Sequence, residues 1–388
     1  MTQALVIGGG PAGLMAAETM ARQGVQVLVV EAKPSLGRKF LMAGKSGLNL
    51  TMEEADNKFR ASYREGAAWL DPFLREFGPK EVRAWADELG AETFAGSSRK
   101  VFPKAMKASP LLRAWLARLA ALGVRFETRW RWVSWDGGFG FETPDGLQEI
   151  TPDVAVLALG GASWPRLGSD GAWRDMLIKK GVEVAPFQPS NMGLRRVWSD
   201  HLAAHFGAPL KNISLTVGGE TRQGEAVLTR EGLEGSLVYH FSAQFRQGLP
   251  ATLNLLPQSQ PAELAARLAK QPKKLSLSNA VRRAWKLPPQ KHALLMELAP
   301  EKSRDGLCVA VKALPVGQYQ TAHLADAISS AGGVTRDSLT DTLALKVAPN
   351  VFCVGEMLDW DAPTGGYLIT ACLATGRAAG HAAAKLVS

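Results

Sequence analysis

Residues 4–13 read ALVIGGGPAG, an apolar run typical of a β-strand followed directly by a glycine-rich turn. A helix-patterned segment follows from Pro11 to Gln23, and a second apolar run, VQVLVV at 25–30, ends in the acid Glu31. This order of strand, glycine turn, helix, strand and carboxylate is that of a dinucleotide-binding βαβ unit. A glycine turn also arises for packing reasons alone, so a cofactor-free turn is the alternative.

Each residue of the turn has a physical role in holding a dinucleotide. Gly8 allows the tight turn, Gly10 lets the backbone approach a pyrophosphate, and Gly13 lets the helix pack closely on the strand. Pro11 and Ala12 lie at the helix N-terminus, where unpaired N–H groups and the positive end of the helix dipole face a ligand. We therefore expect these five residues in the cofactor site.

Glu31 supplies the acid that the pattern requires, because it lies 18 residues beyond Gly13 (31 − 13). A carboxylate at this place accepts hydrogen bonds from the ribose hydroxyls and repels a 2′-phosphate. The sequence thus predicts FAD or NAD at this site rather than NADP, with Ala32 beside the ribose.

Length and composition limit the class of protein. A chain of 388 residues predicts two or three domains, and 46% hydrophobic with 21% charged residues is ordinary for a globular protein. No apolar run reaches the roughly 18 residues that a transmembrane helix needs. The N-terminus also lacks the basic region of a signal peptide, so we expect no membrane association and a cytoplasmic location.

The cysteines and histidines give no metal signature. Cys308, Cys353 and Cys372 form no CxxC pair, which argues against a disulfide framework, a zinc ribbon and a dithiol flavin reductase. His201 and His205 are four residues apart, but no third ligand lies near them. We therefore predict no metal.

Two further segments are expected near the cofactor. The apolar run 154–161 ends in Gly160-Gly161 and predicts a buried parallel strand whose C-terminal turn lies close to a ligand.

Residues 32–51 have no regular period and predict a long loop. Within it Arg38, Lys39 and Lys45 can neutralise the pyrophosphate or an acidic substrate.

Three local predictions concern the rest of the first half. The helical pattern of 58–89 is expected to break at Pro72 and at Pro79. Ser109, which precedes a proline, is predicted to be the N-cap of a helix. The alternating pattern of 126–135 predicts an exposed-edge or meander strand with one half-buried face. The interleaved Trp and Arg residues leave stacking of nucleic-acid bases as the alternative.

From residue 191 the pattern changes to short β-like runs separated by glycine and proline. These runs are at 213–217, 226–229, 237–241 and 252–256, and a helical pattern follows at 261–299. We predict an α/β fold with a Rossmann-like domain formed by 1–190 and 326–388. An inserted domain at 191–325 would interrupt it, with a β part at 191–257 and a mainly helical part at 258–325.

The positive charge belongs to this insert. The chain has a net charge of +9, and residues 191–325 hold 17 Lys and Arg against 9 Asp and Glu, a net of +8. Between Glu263 and Glu297 there are eight bases and no acid. Such a cluster can neutralise nucleic-acid phosphates, although most charge runs are solvated surfaces. An RNA-associated protein is therefore one alternative.

Five motifs spread over the whole chain carry a family resemblance. They are GGGPAG at 8–13, GRKFLMAGKSGLNLT at 37–51, LALGGASWPRLGSDG at 157–171, AGGV at 331–334 and VGEMLDWDAPTGGY at 354–367. With them the chain resembles the BaiN/YhiN-like family of NAD(P)/FAD-dependent oxidoreductases. That family has a glutathione-reductase-like FAD fold interrupted by an inserted β-barrel and helical region.

The resemblance implies a bound FAD that is extended, with its adenine near Glu31 and its isoalloxazine ring near the C-terminal helix. It implies that Gly355 and the segment from Glu356 to Asp359 contact the ribityl chain and the pyrophosphate. It also implies that backbone N–H groups of the last motif lie near the flavin. The residues concerned there are Gly365, Gly366 and Tyr367.

The 37–51 motif departs from the common family form, which has more glycines and an Arg-Cys-Asn. Here Lys45, Ser46, Leu48 and Asn49 stand instead. A substrate role for this loop therefore does not carry over from other members.

The predicted activity is hydride transfer through the flavin N5 atom to or from a small organic substrate. No second GxGxxG follows a strand, so NAD(P)H is expected to dock transiently if it is the donor. The alternative is an oxidase of a small amine that uses O₂. Lys45 and Tyr367 are the candidate catalytic residues, and the sequence does not identify the oligomeric state.

Overall fold

The computed structural model of the protein describes residues 3–45 and 47–387. The chain forms two compact units, one within residues 1–188 and 329–388 and one within residues 189–328. They are called unit 1 and unit 2 below. The sequence predicts an insert at 191–325, and its standing as a separate domain stays a prediction.

The helices among the described residues are numbered in chain order. They are α1 (Pro11–Ala21), α2 (Arg38–Ala43), α3 (Asp56–Ala61), α4 (Ala67–Glu76), α5 (Pro79–Glu88), α6 (Ala108–Ala121), α7 (Trp173–Lys179), α8 (Ser236–His240), α9 (Ser242–Arg246), α10 (Pro261–Ala269), α11 (Leu277–Trp285), α12 (Pro289–Leu298), α13 (Arg304–Ala310) and α14 (Tyr367–Val387).

The strands are numbered in the same way. They are β1 (Ala4–Ile7), β2 (Val27–Glu31), β3 (Thr51–Met52), β4 (Thr93–Ala95), β5 (Lys100–Pro103), β6 (Arg125–Thr128), β7 (Arg131–Asp136), β8 (Gly138–Thr143), β9 (Gly146–Ile150), β10 (Val154–Leu157), β11 (Val184–Ser190), β12 (Leu194–Arg195), β13 (Pro209–Val217), β14 (Glu220–Leu228), β15 (Gly232–Glu234), β16 (Ala251–Asn254), β17 (Leu314–Pro315), β18 (Gln320–Thr321), β19 (Ser329–Val334), β20 (Ala344–Leu345) and β21 (Ala348–Cys353).

Unit 1 is built on a six-stranded sheet in the order β20-β21-β10-β1-β2-β6. The neighbours from β21 to β6 pair in parallel, and β20 pairs antiparallel with β21. All residues of β1 and β10 are buried, which explains their unbroken apolar sequences. The carboxyl ends of β1, β10 and β21 therefore lie side by side, as the three glycine-ending motifs predict.

The C-terminal helix α14 packs against α1, and glycine makes this close approach possible. A Cβ added to Gly376 would lie 2.2 Å from the carbonyl oxygen of Ala12. One added to Gly380 would lie 2.8 Å from the carbonyl oxygen of Ala16. The small residues of α14 thus allow the last helix of the chain to contact the first.

Unit 2 has its own hydrophobic core and an antiparallel sheet of seven strands. The strand order is β17-β16-β13-β14-β15-β12-β18. The helices α8 to α13 also lie within this unit. The structure gives the pairing of the sheet, and the β-barrel that the resemblance implies stays a prediction.

One predicted strand of unit 2 is a helix. Residues 237–241 form most of α8 and the residue after it, and the side chains of Leu237 and Val238 are buried on one turn. Gly235, with φ 109°, directs the chain from β15 into this helix. A short apolar run does not distinguish a strand from a buried helix by its period, which is why the prediction was wrong.

The predicted strand at 126–135 is two strands in different sheets. Arg129 has φ 62°, which breaks the strand after Thr128. The first part, β6, joins the main sheet, whereas β7 forms a three-stranded antiparallel sheet with β8 and β9. The alternation of buried and exposed side chains continues through the break, so the sequence pattern concealed it.

Three boundary predictions were also wrong. The predicted loop at 32–51 contains α2, which begins after Gly37 at φ 66° and buries Phe40. Pro72 lies inside α4, where the buried Leu70 and Leu74 hold the helix against the core, and does not end it.

The third boundary is the start of α6, which has Lys107 rather than Ser109 as its N-cap. Ala108, the first residue of α6, lies against Gly44, where an added Cβ would lie 2.7 Å from the Cβ of Ala108.

Candidate functional site

The glycine turn leaves an open cradle in front of α1. Gly8 has φ 110°, and a Cβ there would lie 2.3 Å from the carbonyl oxygen of Ala158. In contrast, a Cβ on Gly10 would point into space with no described heavy atom within 4 Å. The first turn of α1 also carries no acidic residue. The cradle therefore exposes the positive end of a helix, which fits a pyrophosphate.

Gly13 has the packing role that the sequence predicts. A Cβ on Gly13 would lie 2.1 Å from the carbonyl oxygen of Gly8 and 3.1 Å from a side-chain carbon of Val6. The helix can therefore approach the strand closely only with glycine at this position. Pro11 and Ala12 begin α1 beside the cradle.

Glu31 lies at the end of β2, beside the turn. Its Oε2 accepts a hydrogen bond from the Gly9 N–H at 3.0 Å, and its Oε1 accepts one from the Lys33 N–H at 2.8 Å. Burial raises the pKa of Glu31, while these two backbone hydrogen bonds oppose that shift. The carboxylate is thus held rigidly next to the cradle, and Ala32, which follows it, is partly exposed.

The last motif reaches the same place from the other end of the chain. Gly355 has φ 76°, and a Cβ there would lie 2.7 Å from the Cβ of Ala12. Its N–H donates to Thr375 Oγ1 at 3.1 Å, and its carbonyl accepts from Trp360 Nε1 at 2.9 Å. The turn after β21 is therefore fixed directly against the first turn of α1.

A partly buried ion pair joins the second motif to the last one. Lys39 Nζ donates to Glu356 Oε2 at 2.7 Å and to Ser163 Oγ at 3.0 Å. The Glu356 side chain is 7% exposed, and its Oε1 accepts from the Ser330 N–H at 3.0 Å. Ser330 Oγ in turn accepts from the Ser163 N–H at 3.1 Å. One network thus ties together four separate segments of unit 1.

The sequence did not identify Ser163 or Ser330 as members of this site. Ser163 lies in the 157–171 motif, so that motif was the available signal for it. Ser330 directly precedes the AGGV motif and carries no signal of its own.

The glycine pair after β10 lines the same network. A Cβ on Gly161 would lie 2.4 Å from Ser330 Oγ, and one on Gly160 would lie 2.8 Å from Ser169 Oγ. The carbonyl of Gly160 accepts from Trp173 Nε1 at 2.9 Å, and that of Gly161 accepts from Ser169 Oγ at 2.8 Å. Their carbonyls are therefore directed into the protein.

Asp359 lies three residues after Glu356 and is partly buried. Its N–H donates to the carbonyl of Val334 at 2.9 Å. Burial raises the pKa of Asp359, and the nearby Glu65 and Asp361 raise it further. This carboxyl is therefore protonated more easily than a solvent-exposed aspartate.

The N-terminus of α14 abuts the end of the 37–51 motif. Gly365 and Gly366 have φ 128° and 89°, and a Cβ on Gly366 would lie 2.5 Å from the Cα of Thr51. Thr370 Oγ1 donates to Thr51 Oγ1 at 2.9 Å. The structure thus brings the second and last motifs together.

Tyr367, one candidate catalytic residue, is the first residue of α14 and is 6% exposed. Its hydroxyl donates to Glu54, which also pairs with Lys58 Nζ at 2.9 Å. Its ring stacks on Phe59 with a centroid separation of 4.7 Å, and its carbonyl accepts from the Tyr63 hydroxyl at 2.7 Å. The ring is therefore held in one position and its proton is connected to a carboxylate.

Lys45, the other candidate, is exposed. It lines a cavity of about 500 Å³ together with Arg38 and Lys107. Ser46, which also differs from the common family form, lies outside the described residues.

Polar atoms of the 37–51 motif indicate whether a cofactor fits. Arg38 Nε and Asn49 Oδ1 are buried without a hydrogen-bond partner among the described residues. Buried polar atoms are normally paired, so both are consistent with a polar ligand beside this motif. With the open cradle at Gly10, the residues present fit FAD.

Thiol and metal chemistry gain no support. Burial raises the pKa of Cys372 to about 12, so its thiol stays protonated at neutral pH. Within residues 3–45 and 47–387, no three His, Cys, Asp or Glu side chains are grouped as a metal site would require. No helix in the described part of the chain is long and apolar enough to cross a membrane.

Residues 2–382 match the family described as HI0933-like protein Rossmann domain. The chain belongs to this family. The resemblance seen in the sequence is confirmed, and the protein is an FAD-dependent oxidoreductase with a Rossmann-type FAD-binding fold.

Two relatives of the HI0933-like chain span nearly its whole length. The 3-dehydro-bile acid delta(4,6)-reductase of Clostridium scindens is 25% identical over 406 aligned positions, which cover 98% of each chain. The ribosomal RNA dihydrouridine synthase of Escherichia coli is 22% identical and covers 94% of this chain and 93% of its own.

Solved structures with a similar fold include flavoenzymes. A flavocytochrome c3 fumarate reductase superposes with a TM-score of 0.56 at 16% identity, covering 100% of this chain and 78% of its own. The 3-ketosteroid-delta4-(5alpha)-dehydrogenase of Rhodococcus jostii RHA1 superposes with a TM-score of 0.55 at 16% identity, covering 98% and 96%. At these identities the likeness shows the fold alone.

Proposed function

We propose that this FAD-dependent oxidoreductase reduces a carbon–carbon double bond conjugated with a carbonyl group. One observation carries the proposal: both relatives that match the whole chain have names that describe such a reduction. In the bile-acid reductase the delta(4,6) double bonds are conjugated with the 3-keto group. In dihydrouridine formation the reduced ring double bond of uridine is conjugated with a ring carbonyl.

The proposed reaction takes its electrons from a reduced nicotinamide dinucleotide. One hydride leaves the donor and reaches the β-carbon of the acceptor, one proton reaches the α-carbon from a protein side chain that solvent then reprotonates, and the oxidised nicotinamide is released. FAD, when bound, supplies hydride transfer through its N5 atom. The protein supplies binding, orientation and the proton.

The residues of unit 1 would divide these tasks. We assign the pyrophosphate to Gly10 and the N-terminus of α1, and the ribose of the adenosine to Glu31. Glu356, held by Lys39, would lie along the ribityl chain together with Asp359. The contacts support this assignment of residues along FAD, because the segments that hold Gly10, Glu31 and Glu356 are fixed to one another beside a single cradle.

The N-terminus of α14 would face the flavin ring. The helix has 21 residues and no acid in its first turn. Such a terminus favours negative charge by about 0.3–2 kcal/mol. Residues 365–367 would therefore make reduction of the ring easier.

Tyr367 is the proposed proton donor to the acceptor. Tyr367 directly follows Gly366 in the sequence, and its hydroxyl donates a hydrogen bond to the Glu54 carboxylate. Glu54 pairs with Lys58, whose side chain is 66% exposed, so the chain of groups leads from a buried hydroxyl to solvent. Lys45 is the second choice because it is exposed.

Two acceptors fit this chemistry, a small enone and a uridine within RNA. The second has specific support from the rRNA-modifying relative and from the net charge of +8 on residues 191–325 (17 bases against 9 acids). Neither relative's name describes the oxidation of an amine, so amine oxidation has no support from them. We also propose that unit 2 is an inserted domain, with boundaries close to the predicted 191 and 325.

An anaerobic screen tests the proposal. The purified protein should be yellow and should lose its visible flavin absorbance when NADH or NADPH is added. A 3-oxo-4,6-diene steroid or a uridine-containing RNA should then restore the colour, with the saturated product detected by mass spectrometry. Bleaching by a small amine together with no recovery on adding any enone or RNA would refute the proposal.

A further inference from the structure

Unit 2 carries seven exposed cations within residues 267–286, and this set is called the basic face below. It runs from the end of α10 through the following turn and along α11. Its members are Arg267, Lys270, Lys273, Lys274, Arg282, Arg283 and Lys286, all of them exposed. Lys291, the eighth base of the sequence cluster, is 5% exposed and donates to backbone carbonyls, so it does not belong to this face.

The basic face is held on a rigid support. The apolar side of α11 is buried through Ala280, Val281, Ala284 and Trp285. Trp285 Nε1 donates to the carbonyl of Leu264 at 2.9 Å, which ties α11 to α10. Because this side of α11 is fixed inward, Arg282 and Arg283 must project into solvent.

The turn between the two helices is also fixed. Arg304 Nη1 donates to the carbonyl of Leu268 at 2.6 Å, and its Nη2 donates to that of Pro272 at 3.2 Å. Lys273 and Lys274 directly follow this anchored point. The lysines of the turn are therefore presented from a defined backbone.

Few acids neutralise the basic face. Among the described residues, Arg267 alone of the seven pairs with a carboxylate, that of Glu263 at 2.6 Å. Arg282 donates to the amide oxygen of Asn279 at 3.1 Å and keeps its net charge. α13 and the segment before it carry the acids Asp305 and Glu301, and Glu301 accepts a hydrogen bond from the Ser303 hydroxyl. Six of the seven cations thus have no carboxylate partner among the described residues.

The chemistry of the face fits phosphates and not a lipid surface. Helices that lie on membranes bury an apolar side in the lipid, together with a basic side. Here the apolar side of α11 is already buried in unit 2, and within 261–291 the described residues include no exposed large hydrophobic side chain. Seven cations spread over two helices can contact several successive phosphates.

We infer that the basic face is a docking surface for the phosphate backbone of structured RNA. This deepens the proposed function and rests on it in one respect, since the docked RNA would carry the uridine acceptor. The aromatic ring of Trp285 is buried, so the face offers no stacking platform for bases. It therefore holds RNA without reading its sequence, and selection of the nucleotide belongs elsewhere.

The experiment compares two triple variants of the FAD-loaded protein. The test variant is Lys270→Gln, Arg282→Gln and Arg283→Gln. The control variant is Lys80→Gln, Arg113→Gln and Lys179→Gln, which removes the same charge from exposed positions of unit 1. Affinity for a fluorescently labelled RNA hairpin is measured by anisotropy over a series of salt concentrations.

The test variant should bind the hairpin more weakly. The magnitude of the negative slope of log affinity against log salt should decrease by about 2, because each lost phosphate contact lowers that magnitude by roughly 0.7–0.9. The control should keep the wild-type slope. Lys273→Glu with Lys274→Glu is a second test in the turn, outside the helices, and should also weaken binding. Retained flavin content and thermal midpoint show that each variant is folded.

Equal slopes for the test and control variants would overturn the inference. So would binding of the wild type to phosphatidylserine vesicles but not to the hairpin. The proposed reduction is measured separately, as reoxidation by a free enone. If RNA binding depends on the face but no enone or uridine is reduced, the docking surface stands and the proposed function fails. If enones are reduced but RNA is not bound, the proposed reduction stands and the docking surface fails.

Discussion

Replacing Gly10 by alanine tests the cradle most directly, because the structure separates its effect on folding from its effect on the cofactor. The backbone at Gly10 has φ −84° and ψ 179°, which any residue adopts, and an added Cβ meets no described atom within 4 Å. The Gly10→Ala protein should therefore fold. Alanine is a poorer N-cap than glycine, so we expect a loss of about 1 kcal/mol or less in the free energy of unfolding.

The effect on FAD should be larger. The new methyl group would occupy the space through which the backbone approaches the pyrophosphate. A hydrogen bond to a charged group contributes about 1.5–3 kcal/mol, so losing one such bond raises the Kd for FAD by about 10- to 100-fold. The assay is titration of apoprotein with FAD, followed by quenching of flavin fluorescence, beside urea unfolding of the same apoprotein.

Gly8→Ala is the matched contrast. Its φ of 110° disfavours a side chain, and its Cβ would lie 2.3 Å from the carbonyl oxygen of Ala158. This variant should lose more than about 2 kcal/mol of apoprotein stability from backbone strain and displacement of the neighbouring strand. The reasoning is refuted if Gly10→Ala binds FAD within twofold of the wild type, or if the two alanine variants unfold alike.

Three further changes test the rest of the site. Glu356→Gln removes the charge partner of Lys39 and should lower the free energy of unfolding, measured in urea, by about 1–3 kcal/mol. The value is moderate because the Lys39 side chain is 24% exposed. Adding Lys39→Met to the same chain should recover part of this loss. Tyr367→Phe should slow the reoxidation of reduced flavin by an enone about 100-fold and leave the rate of bleaching by the nicotinamide donor unchanged. Equal slowing of both steps would contradict the role of Tyr367 as proton donor. Burial raises the pKa of Glu31 in the folded protein, so protonation of Glu31 favours folding below the unfolded pKa, and this contribution is lost as pH rises through the folded pKa. Relative to the wild type, the Glu31→Gln apoprotein should therefore gain stability from about pH 4 to pH 7 in urea unfolding. A stability difference that does not change with pH would show that the carboxylate is not desolvated.

The parts of the site that the sequence could predict are those with a local cause. The fingerprint at 8–13 combines a buried strand, a tight turn and a helix start within a few residues, so each glycine has a neighbour in sequence that explains it. The adjacency of β1, β10 and β21 followed from their shared pattern, an apolar run that ends in glycine. These features require no knowledge of distant contacts.

The network around Glu356 could not be predicted in this way. Lys39 lies 317 residues from Glu356 and 124 from Ser163, and their meeting depends on the packing of the whole sheet. The same reason explains the mistaken strand at 237–241. Leu237 and Val238 satisfy either a strand or a helical turn locally, and only the packing of unit 2 decides between them.

Ala12 shows how the two ends of the chain come to share one site. A Cβ added to Gly355 would lie 2.7 Å from the Cβ of Ala12, and one added to Gly376 would lie 2.2 Å from the carbonyl oxygen of Ala12. The first turn of α1 is thus enclosed by the last strand on one side and the last helix on the other. Because the same turn exposes the cradle at Gly10, closure of the fold and formation of the cofactor site depend on the same small residues. We therefore expect Gly355 and Gly376 to be as necessary to the proposed dinucleotide site as the glycines of the N-terminal fingerprint.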